Sequence, residues 1–135
     1  MRKITSRISE ASSEVKNQAL EIIADALQKH QREILEENLK DQEQARGKEL
    51  KEALLKRLLL SEAKIAQMVE SVRELIRLPD PVGRRLVERE LDEGLILSQV
   101  TVPIGVIGVI FESRPDALVQ IATLGLKSGN AVLLK

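Results

Sequence analysis

Between residues 103 and 135 the chain carries two short apolar runs, 106–111 and 131–134, on either side of a segment with helical spacing. This arrangement constrains the fold more than any other feature. The first run is rich in β-branched side chains and predicts a strand buried on both faces. Glu112, Ser113 and Arg114 interrupt it. Pro115 then suits the first turn of a helix, where the backbone N–H needs no partner. Ala117, Ile121, Leu124 and Leu126 supply a helix face. Gly129 and Asn130 stop the helix, since both tolerate the left-handed backbone of a C-cap. The result is a βαβ unit, which has essentially one allowed hand. Ligands of such sheets sit at the carboxyl ends of the strands, which here means the loop 112–114.

Ahead of this unit, residues 2–78 read as helical. Ile4, Ile8, Ala11 and Val15 recur at helical spacing, and Ala19, Ile22, Ile23, Ala26 and Leu27 continue the stripe. Ser12 and Ser13 either cap a new helix or sit within one long one. The next stretch places Ile34, Leu35 and Leu39 on one face, with Glu36, Glu37, Lys40, Asp41 and Glu43 forming a solvated charged face. Gly47 marks a break. Residues 50–60 form a third piece with Leu54, Leu55, Leu58 and Leu59 as its apolar side. Ser61 is a good N-cap for a fourth, in which Ile65, Met68, Val69, Val72, Leu75 and Ile76 keep strict amphipathic spacing. The Leu78-Pro79-Asp80-Pro81 stretch ends it, because a residue before proline avoids the helical region. Residues 84–102 then alternate around Asp92-Glu93-Gly94, the pattern of a β-hairpin. Its strand edges favour pairing with another chain.

Charge is divided unevenly. Of 42 charged residues, 37 precede Gly94, and only Glu112, Arg114, Asp116, Lys127 and Lys135 follow it. The amphipathic helices therefore read as a wrapping for an apolar sheet. A parallel pair needs more strands and helices to cover both faces, so the unit is expected to open a larger fold. Net charge is zero, which argues against a nucleic-acid binder. The chain has no cysteine, so disulfides, thiolate metal sites and a cysteine nucleophile are not among its residues. With the single histidine, His30, read as a surface residue, a metal site is not expected. No run has the roughly 20 apolar residues of a membrane span, and the start lacks a signal-like apolar core. A cytoplasmic location is the default.

The stretch 102–116, Val-Pro-Ile-Gly-Val-Ile-Gly-Val-Ile-Phe-Glu-Ser-Arg-Pro-Asp, followed by Lys127-Ser128-Gly129-Asn130-Ala131, resembles the gamma-glutamyl phosphate reductases. It is equally similar to the reductase half of the bifunctional pyrroline-5-carboxylate synthases. The Glu-Ser-Arg-Pro tetrapeptide carries most of the specificity. Residues 24–27, 34–41, 55–58 and 78–83 look like the family's amino-terminal helices and linker, so the likeness covers essentially the whole chain as an amino-terminal third. The fold class expected is α/β, with amino-terminal helices (1–78), an oligomerisation-type hairpin (84–102) and the first βαβ unit (103–135) of an aldehyde-dehydrogenase-like cofactor-binding domain, incomplete in this chain.

The resemblance implies NADPH-dependent reduction of gamma-glutamyl phosphate to glutamate 5-semialdehyde on the route to proline. In that family a cysteine thiolate displaces phosphate, and hydride reduces the thioester. With no cysteine, this chain alone is expected to be inactive and to belong to a longer enzyme. The resemblance implies that Phe111, Glu112 and Ser113 border the cofactor. Lys135 corresponds to a lysine that meets the adenosine ribose or its 2′-phosphate, although a lysine there also reads as a plain strand-end charge. Arg114 would hold a phosphate or carboxylate oxygen of the substrate through paired N–H donors, or else pair with Glu112 or Asp116 and shape the turn. Gly105 and Gly108 do not form a phosphate-cradling loop and are expected to allow close packing. The implied assembly is a homo-oligomer joined through the hairpin, with no nucleic acid and no membrane. A different class of reading stays open, in which the helices of residues 1–78 form a non-catalytic interaction or regulatory module on a partner chain.

Overall fold

A computed structural model of the chain describes residues 7–48 and 51–135. Ile4 and Leu50 lie outside the described residues. The remainder is a mixed helix-and-strand α/β arrangement of five helices and two separate two-stranded sheets among the described elements.

Helix α1 (Ser13–Lys29) starts at Ser12, whose hydroxyl accepts the Val15 N–H at 3.4 Å. That settles which of the two serines caps it. Its inward residues are Lys16, Leu20 and Ala24. Val15 and Ile22, expected in the apolar stripe, are 55% and 69% exposed. His30 is exposed and separates α1 from α2 (Gln31–Gly47), its Nδ1 lying 3.0 Å from a Glu33 carboxylate oxygen. The charged residues Glu36, Glu37, Lys40, Asp41 and Glu43 are all exposed, as their pattern predicts. The inward face of α2 differs from expectation. Leu39 is exposed, and Asn38, Gln42 and Ala45 are buried in its place. The reason is a backbone that needs partners. Asn38 Nδ2 donates to the Leu58 carbonyl at 2.9 Å, and its Oδ1 accepts from Leu60 N at 3.0 Å and Gln42 Nε2 at 2.7 Å. Those bonds fix the extended link that follows the short helix α3 (Glu52–Leu58). Unpaired, the same backbone groups would carry a desolvation penalty.

Helix α4 (Glu62–Arg77) is capped by Ser61, which accepts the Lys64 N–H at 3.2 Å. It buries Ile65, Met68, Val69, Val72 and Leu75, as its spacing predicts. Leu20 and Ala24 from α1 join Val69, Val72 and Leu75 in the core, with Val119 and Leu126 of α5 (Pro115–Lys127) packed against them. The helices thus pack on one face of the helix of the βαβ unit. This corrects the expectation that they wrap an apolar sheet.

A polar knot ties the same three helices together. Lys16, 2% exposed, pairs with Asp80 at 2.5 Å, and Ser13 Oγ donates to the same carboxylate at 2.6 Å. Burial raises the Asp80 pKa, but the Lys16 and Ser13 hydrogen bonds and the Val82 N–H outweigh it and bring the group down to about 2. Lys127, also buried, donates to Asn17 Oδ1 at 2.8 Å and to the Ile76 carbonyl at 3.2 Å. Burial pushes the Lys127 ammonium below its ordinary value.

Strands β1 (Arg85–Asp92) and β2 (Leu95–Val100) pair antiparallel around Glu93-Gly94, and Gly94 takes a φ of 76°. Every residue of both strands is exposed. The hairpin is anchored at its base, where Thr101 Oγ1 donates to the Pro81 carbonyl at 2.6 Å and Gly83 N to the Thr101 carbonyl at 2.9 Å.

Strands β3 (Val106–Val109) and β4 (Ala131–Leu134) pair in parallel, with Val106 opposite Ala131 and Val109 opposite Leu134. Helix α5 joins them. It ends in a Schellman arrangement, in which Asn130 N donates to the Gly125 carbonyl at 2.8 Å and Gly129 N to the Leu126 carbonyl at 3.1 Å. Gly129 alone takes the left-handed turn, at φ 70°. Asn130 instead turns its side chain to Gly105 N at 2.8 Å, locking the start of β3 to the start of β4.

Three expectations for this unit need correction. Strand β3 is not buried on both faces, because its burial alternates and Val106 is 49% exposed. Leu124 lies on the exposed side of α5, and Ala117, Thr123, Gly125 and Lys127 form its inward face. Gly105 and Gly108 meet nothing where a Cβ would stand; Gly105 serves backbone conformation, at φ 118°. The close-packing glycine is Gly125, where a Cβ would collide with Val132 Cγ2.

Candidate functional site

Parallel pairing brings the carboxyl ends of β3 and β4 side by side. The ladder runs past both strands. Lys135 N donates to the Val109 carbonyl at 3.0 Å, and Phe111 N donates to the Lys135 carbonyl at 2.9 Å. Phe111 and Lys135, 24 positions apart by number, are therefore direct backbone neighbours. Phe111 is partly buried, whereas the Lys135 side chain is exposed at the rim.

The chain then turns through Glu112, Ser113 and Arg114. Glu112 and Arg114 are exposed and Ser113 is partly buried. Ser113 takes φ 52°, and it is the one non-glycine residue with positive φ among the described residues. That conformation costs a serine about 1 kcal/mol and persists only where surrounding structure holds it. Here the turn is held between the end of β3 and Arg114, the N-cap residue of α5. Arg114 Nη2 lies 3.6 Å from the Asp116 carboxylate, longer than a hydrogen bond. The pair is loose and half exposed, so the guanidinium keeps donors for a ligand.

Phe111, Glu112, Ser113, Arg114 and Lys135 thus gather at one sheet edge. The periodicity of the sequence does not point to what faces Arg114 from the helical layer. A cavity of about 400 Å³ is lined by Lys56, Arg57, Lys64, Arg114 and Asp116. Its cations come from α3, from α4 and from the loop after β3. The signal that could have found them is the basic Lys56-Arg57 pair at the end of α3, which only tertiary packing sets beside Arg114. A second depression, about 470 Å³ and mostly apolar, runs between α4 and α5 past Met68, Leu75, Leu78 and Leu124. Among the described residues no group of three or more His, Cys, Asp or Glu side chains is arranged to hold a metal ion. No helix among them is long and apolar enough to cross a membrane.

No family model matches the chain. Individual proteins do. The gamma-glutamyl phosphate reductase of Acetivibrio thermocellus is 56% identical over 129 residues, covering 96% of this chain and 30% of that protein. The reductase of the same name from Pelotomaculum thermopropionicum is 54% identical over 142 aligned residues, covering all of this chain and 33% of its own length. In sequence and in fold, the chain is similar to one third of a gamma-glutamyl phosphate reductase. The fold half of that statement rests on solved structures. The crystal structure of gamma-glutamyl phosphate reductase from Thermotoga maritima superimposes with a TM-score of 0.93 at 41% identity, over 98% of this chain and 32% of that one. The Saccharomyces cerevisiae reductase gives 0.95 at 42% identity, over 99% and 34%. The chain therefore spans about a third of the length of the reductases it matches.

Proposed function

We propose that the chain forms the amino-terminal third of a gamma-glutamyl phosphate reductase, an oxidoreductase of proline biosynthesis. The reaction would reduce gamma-glutamyl phosphate to glutamate 5-semialdehyde with release of phosphate. The single observation that carries this reading is 56% identity to such a reductase over nearly the whole chain, including the loop at the strand ends. Within it, the larger fold is an aldehyde-dehydrogenase-like domain of which β3, α5 and β4 are the first βαβ unit. The helices 1–78 form a layer, and the hairpin 84–102 joins subunits of a cytoplasmic homo-oligomer. The wholly exposed hairpin, with apolar Leu95, Ile96 and Leu97 more than half exposed, supports that last assignment.

The cofactor in this reading is NADPH, which supplies hydride when bound. The chain's own residues fit such a group. Lys135 offers an exposed ammonium at the carboxyl end of β4, in no ion pair among the described residues, suited to a ribose hydroxyl or a 2′-phosphate. Phe111, Glu112 and Ser113 form the adjoining wall, and the held turn at Ser113 fixes its shape. Arg114 offers paired N–H donors to a substrate oxyanion. A nucleophilic thiolate is not among this chain's residues, since it contains no cysteine.

The test is a hybrid in which residues 1–135 replace the matching third of the Acetivibrio thermocellus reductase. The expected result is a folded hybrid that reduces NADP⁺ when given glutamate 5-semialdehyde and phosphate, the reverse of the proposed reaction. A folded hybrid without that activity, beside an active parent, would overturn the reading.

A further inference from the structure

The cleft between the helical layer and the loop after β3 has an unusual charge balance. Lys56, Arg57, Lys64 and Arg114 line it with a single carboxylate, Asp116. Their pairings leave much of that charge unspent. Lys56 pairs with Glu52 along its own helix at 2.8 Å, in an exposed contact of small worth. Lys64 Nζ donates to the Leu59 carbonyl at 2.6 Å, a neutral partner. Arg114 has only the 3.6 Å approach to Asp116. Arg57 makes no hydrogen bond or ion pair among the described residues. Like charges drawn from three separate elements repel one another, and nothing in the packing of α3 or α4 requires them to meet. The first turn of α5 borders the same space through Asp116, and the positive end of the helix dipole adds potential there.

We propose that this cleft is an anion-docking site that takes the phosphate end of the acyl phosphate substrate. Arg57 and Arg114 supply forked donors to the phosphate oxygens, and Lys56 and Lys64 act as point charges around them. The identity of the anion rests on the reductase reading, whereas the charge of the cleft does not. The site adds three residues of the helical layer to the substrate-binding edge, and it gives α3, which buries none of its own residues, a reason to be held in place by Asn38.

The same chemistry has a second source, the 2′-phosphate of NADPH, and the experiment separates the two. The ¹⁵N-labelled chain is titrated with inorganic phosphate, with adenosine 2′,5′-bisphosphate, and with potassium chloride at matched ionic strength. Inorganic phosphate is expected to move the amides of Lys56, Arg57, Lys64 and Arg114 along saturable curves, and chloride is not. Arg57→Gln, an exposed change that leaves the core untouched, weakens phosphate binding about tenfold, corresponding to the loss of one charged pair of hydrogen bonds. Arg32→Gln, on the exposed face of α2, leaves it unchanged. Equal shifts with chloride, or no effect of Arg57→Gln, overturn the proposal. A cleft that prefers the adenosine bisphosphate by more than about tenfold overturns the substrate assignment. Failure here is separable from failure of the reductase reading. A hybrid enzyme that is active while the chain ignores phosphate removes only the cleft, and a chain that binds phosphate in an inactive hybrid removes only the reductase.

Discussion

The three-helix core and the β-hairpin are built on opposite principles. Helix α4 buries five side chains, three of them in a core shared with α1 and α5, and the Lys16–Asp80 contact locks the linker after it to the start of α1. The hairpin buries none of its fourteen strand residues and is held by its own ladder and by Thr101 at its base. A two-stranded ribbon without a packed face is marginal in water. The contrast separates the part of the chain that carries its own buried core from the part whose apolar surface stays exposed. The βαβ unit stands between them, with α5 in the core and the β3 face half open.

The largest expected effect is at the polar knot. Asp80→Ala leaves the Lys16 ammonium buried without a partner, and the loss should be roughly 3–5 kcal/mol. Urea denaturation followed by far-UV circular dichroism would measure it; a loss no larger than that of an exposed substitution would show that the knot does not hold the helices together.

The same contact predicts an acid dependence. Asp80 has its folded pKa lowered from 3.8 to about 2, so its contribution is complete above pH 4 and is lost as pH falls towards 2. That shift corresponds to about 2 kcal/mol. A urea midpoint that falls over this range in the parent chain, with the Asp80→Asn variant lacking that share of the fall, is the expected pattern. Identical profiles would contradict the assignment.

The smallest effect belongs to the hairpin. Leu97→Ala, at a residue 54% exposed, should change the stability of the helical core by less than about 0.5 kcal/mol. A larger loss would mean that the hairpin and the core unfold as one unit.

Much of this division was legible in the residues. The α4 stripe, the Ser61 cap, the Glu93-Gly94 turn, the helix start at Pro115 and the stop at Gly129 all follow from local chemistry, which a neighbour far along the chain cannot easily override. What failed was the choice of face. Leu39 and Leu124 read as inward because they are apolar, while Asn38, Gln42, Lys16 and Lys127 are the residues that turn inward. Asn38, Lys16 and Lys127 are buried against partners 20 to 110 positions away, which periodicity does not encode. Strand β3 reads as doubly buried because its composition suits a sheet larger than the pair formed here. The position of the loop 112–114 follows from the strand–helix–strand order alone, but the φ of Ser113 and the cations facing Arg114 are products of packing.

Arg114 is proposed to serve a ligand at the strand ends rather than the integrity of the turn. The direct measurement is kcat/KM for glutamate 5-semialdehyde and phosphate in the hybrid reductase carrying Arg114→Ala, together with its urea midpoint. Arg114 is exposed and only loosely paired with Asp116, so a fall of about tenfold or more in kcat/KM is expected with the midpoint nearly unchanged. An unchanged kcat/KM, or a loss of activity matched by a loss of stability, would contradict it.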